Sequence, residues 1–156
     1  MSSTDLRPVM AVPRHRILLG VLQLATSAGL VIDAVVHLRV AADYEPVQGI
    51  LIGEGTLFRA QAVVALVLAV LLLVWPRRWV WVLAALTAAS AAGAVILYTY
   101  VDLGAIAGLP DMYEPTWLPP GKLVSAVAEA TTAVLAVAGF VVTWRMARNR
   151  DRRPTL

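Results

Sequence analysis

The sequence predicts an all-α fold: an integral membrane four-helix bundle with both the N and C termini cytoplasmic. Three observations carry that expectation. Hydrophobic residues make up 60% of the 156 and charged residues 15%, with a mean hydropathy of +0.76, too apolar and too poor in charge for an ordinary soluble domain. Four apolar runs, residues 17–40, 57–75, 79–101 and 123–144, can each cross a hydrocarbon layer of about 30 Å at roughly 1.5 Å per helical residue. Basic residues then segregate between the two ends of those runs, which sets an orientation.

Residues 1–16 read as a cytoplasmic leader, carrying Ser2, Ser3, Thr4, Pro8 and Pro13. Arg7, Arg14 and Arg16 before an apolar run have the outline of a signal peptide, but the run to Val40 is too long for a signal core and no small-residue cleavage pattern follows. It is therefore read as a retained first helix. Lipid offers the backbone no hydrogen-bond partner, so spanning segments must satisfy themselves internally. The lengths and the Ala, Leu and Val content favour helices over barrel strands.

The second and third helices are separated only by Pro76-Arg77-Arg78, so they should form an antiparallel hairpin. Trp75, Trp79 and Trp81 around this turn, and Trp144 on the fourth helix, fit the aromatic belt at the headgroup level. Ala84, Ala88, Ala91 and Ala92, with Ser90 and Gly93, give the third helix small surfaces for close helix approach. The fourth helix ends in a basic tail, residues 145–156, that reads as a stop-transfer anchor. The domain proper is thus residues 17–144.

Leader, second connection and tail hold Arg7, Arg14, Arg16, Arg77, Arg78, Arg145, Arg148, Arg150, Arg152 and Arg153, whereas the opposite side has only Arg39, Arg59 and Lys122. The first set is cytoplasmic by the positive-inside rule, placing the chain as a multi-pass protein of the cell inner (plasma) membrane. The two outer connections are longer. The third holds Pro110, Pro115, Pro119 and Pro120 among Leu109, Met112, Trp117 and Leu118, a composition that favours a stiff loop lying over the mouth of the bundle.

Cysteine is absent, which excludes disulfides, thiolate metal sites and cysteine nucleophiles. What chemistry remains gathers in one outer layer. Asp33 and His37 stand at i, i+4, continued inward by Gln23, Thr26 and Ser27; Lys122, Ser125, Glu129 and Thr132 form a matching stripe on the fourth helix. Asp33 and Glu129 each lie some seven residues from the outer end of their helix, at a common depth of roughly 10 Å. Arg59 and Gln61 sit at the start of the second helix, and Tyr98, Tyr100 and Asp102 at the end of the third. The expected ligand-binding set is Asp33, His37, Arg59, Glu129, Tyr98, Asp102 and Lys122; no catalytic residue is assigned.

Ionisable groups inside a membrane are costly and count as a functional hypothesis by default. The plain alternative is that Asp33 or Glu129 pairs with Arg59 to fix helix packing. No metal is expected; the alternative metal set is Asp33, His37 and Glu129, with Glu54 or Asp102 in support, and Arg59 nearby would oppose a cation. Partners expected are the lipid bilayer, a larger membrane protein complex or homo-oligomer, and a lipophilic small molecule; no nucleic acid is expected. The cofactor is undefined.

The segment Asp33-Ala-Val-Val-His37-Leu38, the Gly55-x-Leu57-Phe58-Arg59 start of helix two and Tyr113-Glu114-Pro115 before helix four resemble those of small four-helix membrane proteins of actinobacteria grouped with DoxX-like proteins. That resemblance implies a redox-adjacent accessory role and carries over no site residue. The function expected is a ligand-binding protein or an accessory subunit of a membrane complex, not an enzyme. The alternative is a membrane enzyme or redox-associated protein acting on a quinone or isoprenoid.

Overall fold

Each apolar run becomes one helix. In the computed structural model, which describes residues 14–119 and 121–151, the described residues form α1 (Arg14–Val40), α2 (Glu54–Val74), α3 (Arg78–Tyr100) and α4 (Lys122–Asp151). Most of the expected leader (1–13), Pro120 and the end of the basic tail (152–156) lie outside the described residues. All four helices are long and apolar enough to cross a membrane. Helix α4 runs past Trp144, so the first part of the tail is helical; Arg145, Met146, Ala147 and Arg148 are good helix formers and no proline interrupts them.

Pro76 stops α2. The residue before it leaves helical geometry, with Trp75 at φ −148°, and Arg77 at φ −77°, ψ 155° turns the chain into α3. Helix α1 packs on α2 and α4, and α3 packs on α4. Helices α2 and α3, although joined by the shortest turn, share the sparsest interface of the four neighbouring pairs.

The core is built from Leu22, Leu30, Leu68, Leu72, Val80 and Trp81, with alanines such as Ala34, Ala65, Ala84 and Ala136 at the closest approaches. Gly139 is one such approach: a Cβ there would strike the Trp81 ring, so α3 and α4 meet only because α4 has no side chain at that position. Ala84, Ala88 and Ala92 are buried as expected of small packing surfaces, whereas Ser90 and Gly93 face outward.

Trp81 departs from the expected aromatic belt. Trp75, Trp79 and Trp144 are well exposed, but Trp81 is wholly buried. Two residues along an α-helix is a rotation of about 200°, so Trp79 and Trp81 cannot share the outward face.

At the end of the bundle away from the termini, the first connection folds back as a small hairpin closed by a Gln48–Gly53 bridge. Its tip docks on the third connection, with Leu51 N–H donating to the Gly108 carbonyl at 2.9 Å. A Cβ on Gly49 would lie 2.6 Å from the Gly108 oxygen and from the Pro110 nitrogen, so glycine is what lets the two loops touch. Pro110 is fully buried beneath them, and Glu114 N–H donates to the Tyr98 carbonyl at 3.0 Å. The proline-rich loop thus lies across the bundle, as its composition predicts.

Candidate functional site

One helical turn separates Asp33 from His37, and the ring reaches back. His37 Nδ1 lies 2.8 Å from Asp33 Oδ1 and 3.0 Å from the Asp33 backbone oxygen. Both neighbours are acceptors only, so Nδ1 carries the proton and donates it, leaving Nε2 to face elsewhere. It faces Glu129, whose Oε1 is 3.9 Å away. From α4, Ser125 Oγ donates to Glu129 Oε1 at 2.7 Å and also stands 3.5 Å from Asp33 Oδ1, tying the two carboxylates together. Gln61 Nε2 on α2 donates to Asp33 Oδ2 at 3.1 Å. Asp33, His37 and Glu129 are 3%, 8% and 1% exposed, so three helices converge on a buried cluster of two acids and one imidazole. The equal depth read from the sequence for Asp33 and Glu129 is what lets Ser125 bridge them.

The polar stripe of α1 continues toward the termini. Gln23 Nε2 donates to the Leu72 and Leu73 carbonyls at 2.6 and 3.0 Å, and Ser27 Oγ to the Ala69 carbonyl at 3.2 Å. These bonds dock α1 on α2; the buried Thr26 hydroxyl has no partner among the described residues.

A cavity of about 280 Å³ opens beside the cluster, between the halves of α2 and α3 that lie away from their turn. Its walls are largely apolar: Val36 and Val40 from α1, Leu57 and Phe58 from α2, Ala91, Ala94 and Val95 from α3, with Met112 above. His37, Gln61 and Ser125, and Tyr44, Glu54, Glu114 and Lys122, bring polar groups to its lining. The His37 ring meets Phe58 edge-on, centroids 5.1 Å apart, and Phe58 in turn meets Tyr44 at 5.0 Å.

Glu114 organises the second polar group. Tyr44 donates its hydroxyl to both carboxylate oxygens, at 3.1 and 3.2 Å, and Lys122 Nζ lies 3.2 Å from Oε2 and 2.6 Å from the Glu114 carbonyl. Burial, reinforced by the Glu114 charge, pushes the Tyr44 hydroxyl above the usual tyrosine range, so it remains a donor.

Not every residue of the expected set reaches this place. Asp33, His37 and Glu129 form the cluster, and Tyr98 and Lys122 line the cavity. Arg59 does not: its Nη1 pairs with Glu45 Oε2 at 2.8 Å on the surface, with both side chains about half exposed. The expected pairing of Asp33 or Glu129 with Arg59 is therefore not formed. The reason is helical phase, since Arg59 and Gln61 are two residues apart and point to different faces; Gln61 takes the inward one. Asp102 is exposed, and its Oδ1 accepts from Gly104 N–H at 3.0 Å, a turn-making role. Tyr100 is likewise outside, 70% exposed. Tyr44, Glu54, Glu114, Phe58 and Ser125 belong to the site but not to the expected set. The excess of acids in both outer connections was the available signal, because Lys122 inside a membrane boundary calls for a carboxylate partner.

The fold and site together define a bundle of four membrane-length helices with a small, mostly apolar cavity and a buried acid–histidine–acid cluster at its wall. No protein-family model matches the chain, and neither a curated protein nor a solved structure does.

Proposed function

We propose that the chain is a multi-pass protein of the cell inner (plasma) membrane that binds a small lipophilic molecule by its polar head, a quinone or isoprenoid in kind, in the cavity between α2 and α3. The observation that carries this reading is the cavity itself: largely apolar walls with a few polar groups among the lining, the pattern of a site that takes an apolar body and orients it by a few hydrogen bonds. Its volume of about 280 Å³ suits a ring or chain end better than a whole lipid. Lys122 and the Gln61 amide supply donors to a carbonyl or hydroxyl head, and His37 Nε2 an acceptor to a hydroxyl.

The orientation with both termini cytoplasmic is supported by charge. Arg14, Arg16, Arg77, Arg78, Arg145 and Arg148 gather at the termini end, and a basic groove there is lined by His15, Arg16, Arg77, Arg78 and Arg145. At the other end Arg59 and Lys122 are each matched by a glutamate.

The test is to purify the chain in a mild detergent from native membranes, extract it with organic solvent and identify what co-purifies by mass spectrometry. Ala91→Phe, which fills the cavity from α3, should lose the molecule and keep the helical signal. Equal and negligible recovery from both proteins would sink the reading.

A second reading, an accessory subunit of a membrane complex, is favoured by Ile50 and Leu118, which stand 91% and 89% exposed on the two interlocked loops. Co-purification of a stable protein partner without a small molecule would support it. A redox-associated role, as the DoxX-like resemblance implies, fits either reading.

A further inference from the structure

We propose that His37 and Glu129 bind one divalent transition-metal cation, with Asp33 as the positioning residue that holds His37 in the ligating orientation. The site goes beyond the binding of a lipophilic molecule and does not depend on it.

Geometry comes first. One donor atom from each of Asp33, His37 and Glu129 lies within 4.8 Å of the others, all three residues being buried. His37 Nδ1 donates its N–H to Asp33, so in the neutral ring Nε2 presents a lone pair toward Glu129. A histidine whose second nitrogen is held by a carboxylate is the usual form of a metal-ligating imidazole, because the carboxylate fixes the ring and raises its basicity. Two donors bound tetrahedrally at about 2.1 Å stand roughly 3.4 Å apart. The present 3.9 Å between Nε2 and Oε1 needs only a small closure.

Charge makes the same demand. With both carboxyls ionised, Asp33 and Glu129 would bring two negative charges into the bundle, and among the described residues no Lys or Arg forms an ion pair with either. The arginine that the sequence placed nearby, and that would repel a cation, is occupied by Glu45 at the surface. A protonated His37 would offset one of these charges and leave the other, so the cluster takes a second positive charge, from a proton on a carboxyl or from a cation. A divalent cation with neutral His37 brings the cluster to zero.

A third, independent observation is an orphan. Glu129 Oε2, on a side chain with no exposure, has no hydrogen-bond partner among the described residues. Buried polar atoms are normally satisfied, and this unsatisfied oxygen belongs to the same carboxylate whose Oε1 lies 3.9 Å from His37 Nε2, so Glu129 keeps donor capacity for a cation. His37 and Ser125 open onto the cavity, which gives a cation its way in and leaves coordination positions free for water or a ligand oxygen. Mixed imidazole and carboxylate donors suit Zn²⁺, Mn²⁺ or Fe²⁺, and the absence of thiolates argues against softer ions.

The experiment uses the full chain in detergent, stripped with chelator, then titrated with Zn²⁺ and, as a visible probe, Co²⁺. Metal retained after desalting is counted by elemental mass spectrometry, and the Co²⁺ ligand-field spectrum reports the donor geometry. The expected result is about one equivalent per wild-type chain, lost in Glu129→Gln and His37→Gln, weakened about 10–100-fold in Asp33→Asn and unchanged in His15→Ala at the opposite end. To separate binding from folding, the wild-type unfolding midpoint is measured with chelator and with Zn²⁺, where a rise on adding metal is expected. Wild-type chain that retains no more metal than Glu129→Gln, or whose midpoint Zn²⁺ leaves unmoved, overturns the proposal and makes the cluster a proton-sharing clasp.

Discussion

Lys122, the first residue of α4, reaches back over its own connection to Glu114, placing Nζ 2.6 Å from the backbone oxygen and 3.2 Å from Oε2. A single ammonium thereby fastens the proline-rich loop to the helix that follows it, and Tyr44 fastens the same carboxylate to the first connection. Lys122→Met should free that loop. Hydrogen exchange across residues 101–119 is expected to speed up, by roughly the ten- to hundredfold that losing a charge-assisted hydrogen bond of about 1.5–3 kcal/mol implies. Unchanged protection would mean that the Leu51–Gly108 and Glu114–Tyr98 backbone bonds hold the roof alone.

Tyr44 gives a prediction in pH. Its hydroxyl titrates above the ordinary value of 10.0 because burial, and then Glu114, disfavour the phenolate. A raised pKa in the folded state stabilises the fold fully below the unfolded value, and that stability is lost as pH climbs through the folded one, here on the alkaline side of pH 10.0. In an ultraviolet titration, wild type and Tyr44→Phe should give the same tyrosinate absorbance up to about pH 11, Tyr44 being still protonated. An extra tyrosinate in wild type near pH 10 would count against the buried hydrogen bond.

Gly139 and Gly93 should respond oppositely to the same change. A methyl at Gly139 meets the Trp81 ring, and overpacking of this kind costs about 1–3 kcal/mol. A methyl at Gly93 meets nothing within 4 Å and gains helix propensity of up to about 1 kcal/mol. Thermal melts of Gly139→Ala and Gly93→Ala in one detergent decide it; equal midpoints would contradict the α3–α4 packing described.

Arg59→Gln is expected to do little. The Arg59–Glu45 pair is half exposed, and such pairs contribute about 0.2–1 kcal/mol. Combined with Asp33→Asn, the two effects should add without coupling, because the residues share no partner. Recovery of stability in the double variant would place Arg59 on the buried cluster after all.

The four spans were legible because apolar length alone nearly dictates a membrane helix; Ile17–Val40 and Leu123–Trp144 could hardly be anything else. Which face of each span turns inward was much harder to read. In a soluble protein the polar side of a helix marks the outside, but lipid is as apolar as a core, so Val64 facing out and Ala65 facing in look alike in sequence. Only charged or strongly polar residues carry that information. Asp33, His37 and Glu129 were placed well for this reason, while Arg59 and Trp81, near the ends of their helices where either direction can be solvated, were not. Tyr44 and Glu114 come together across two loops, and no spacing along the chain encodes that meeting.

The three-residue turn at Trp75–Arg77 has a mechanical consequence. Helices α2 and α3 are pinned together at one end like the arms of a pair of tweezers, and the cavity lies between the free tips. Were the tips to spread, the contacts of Tyr44, Glu114 and Lys122 across that end would act as a catch. Access would then be set less by the width of the cavity than by how often that catch lets go.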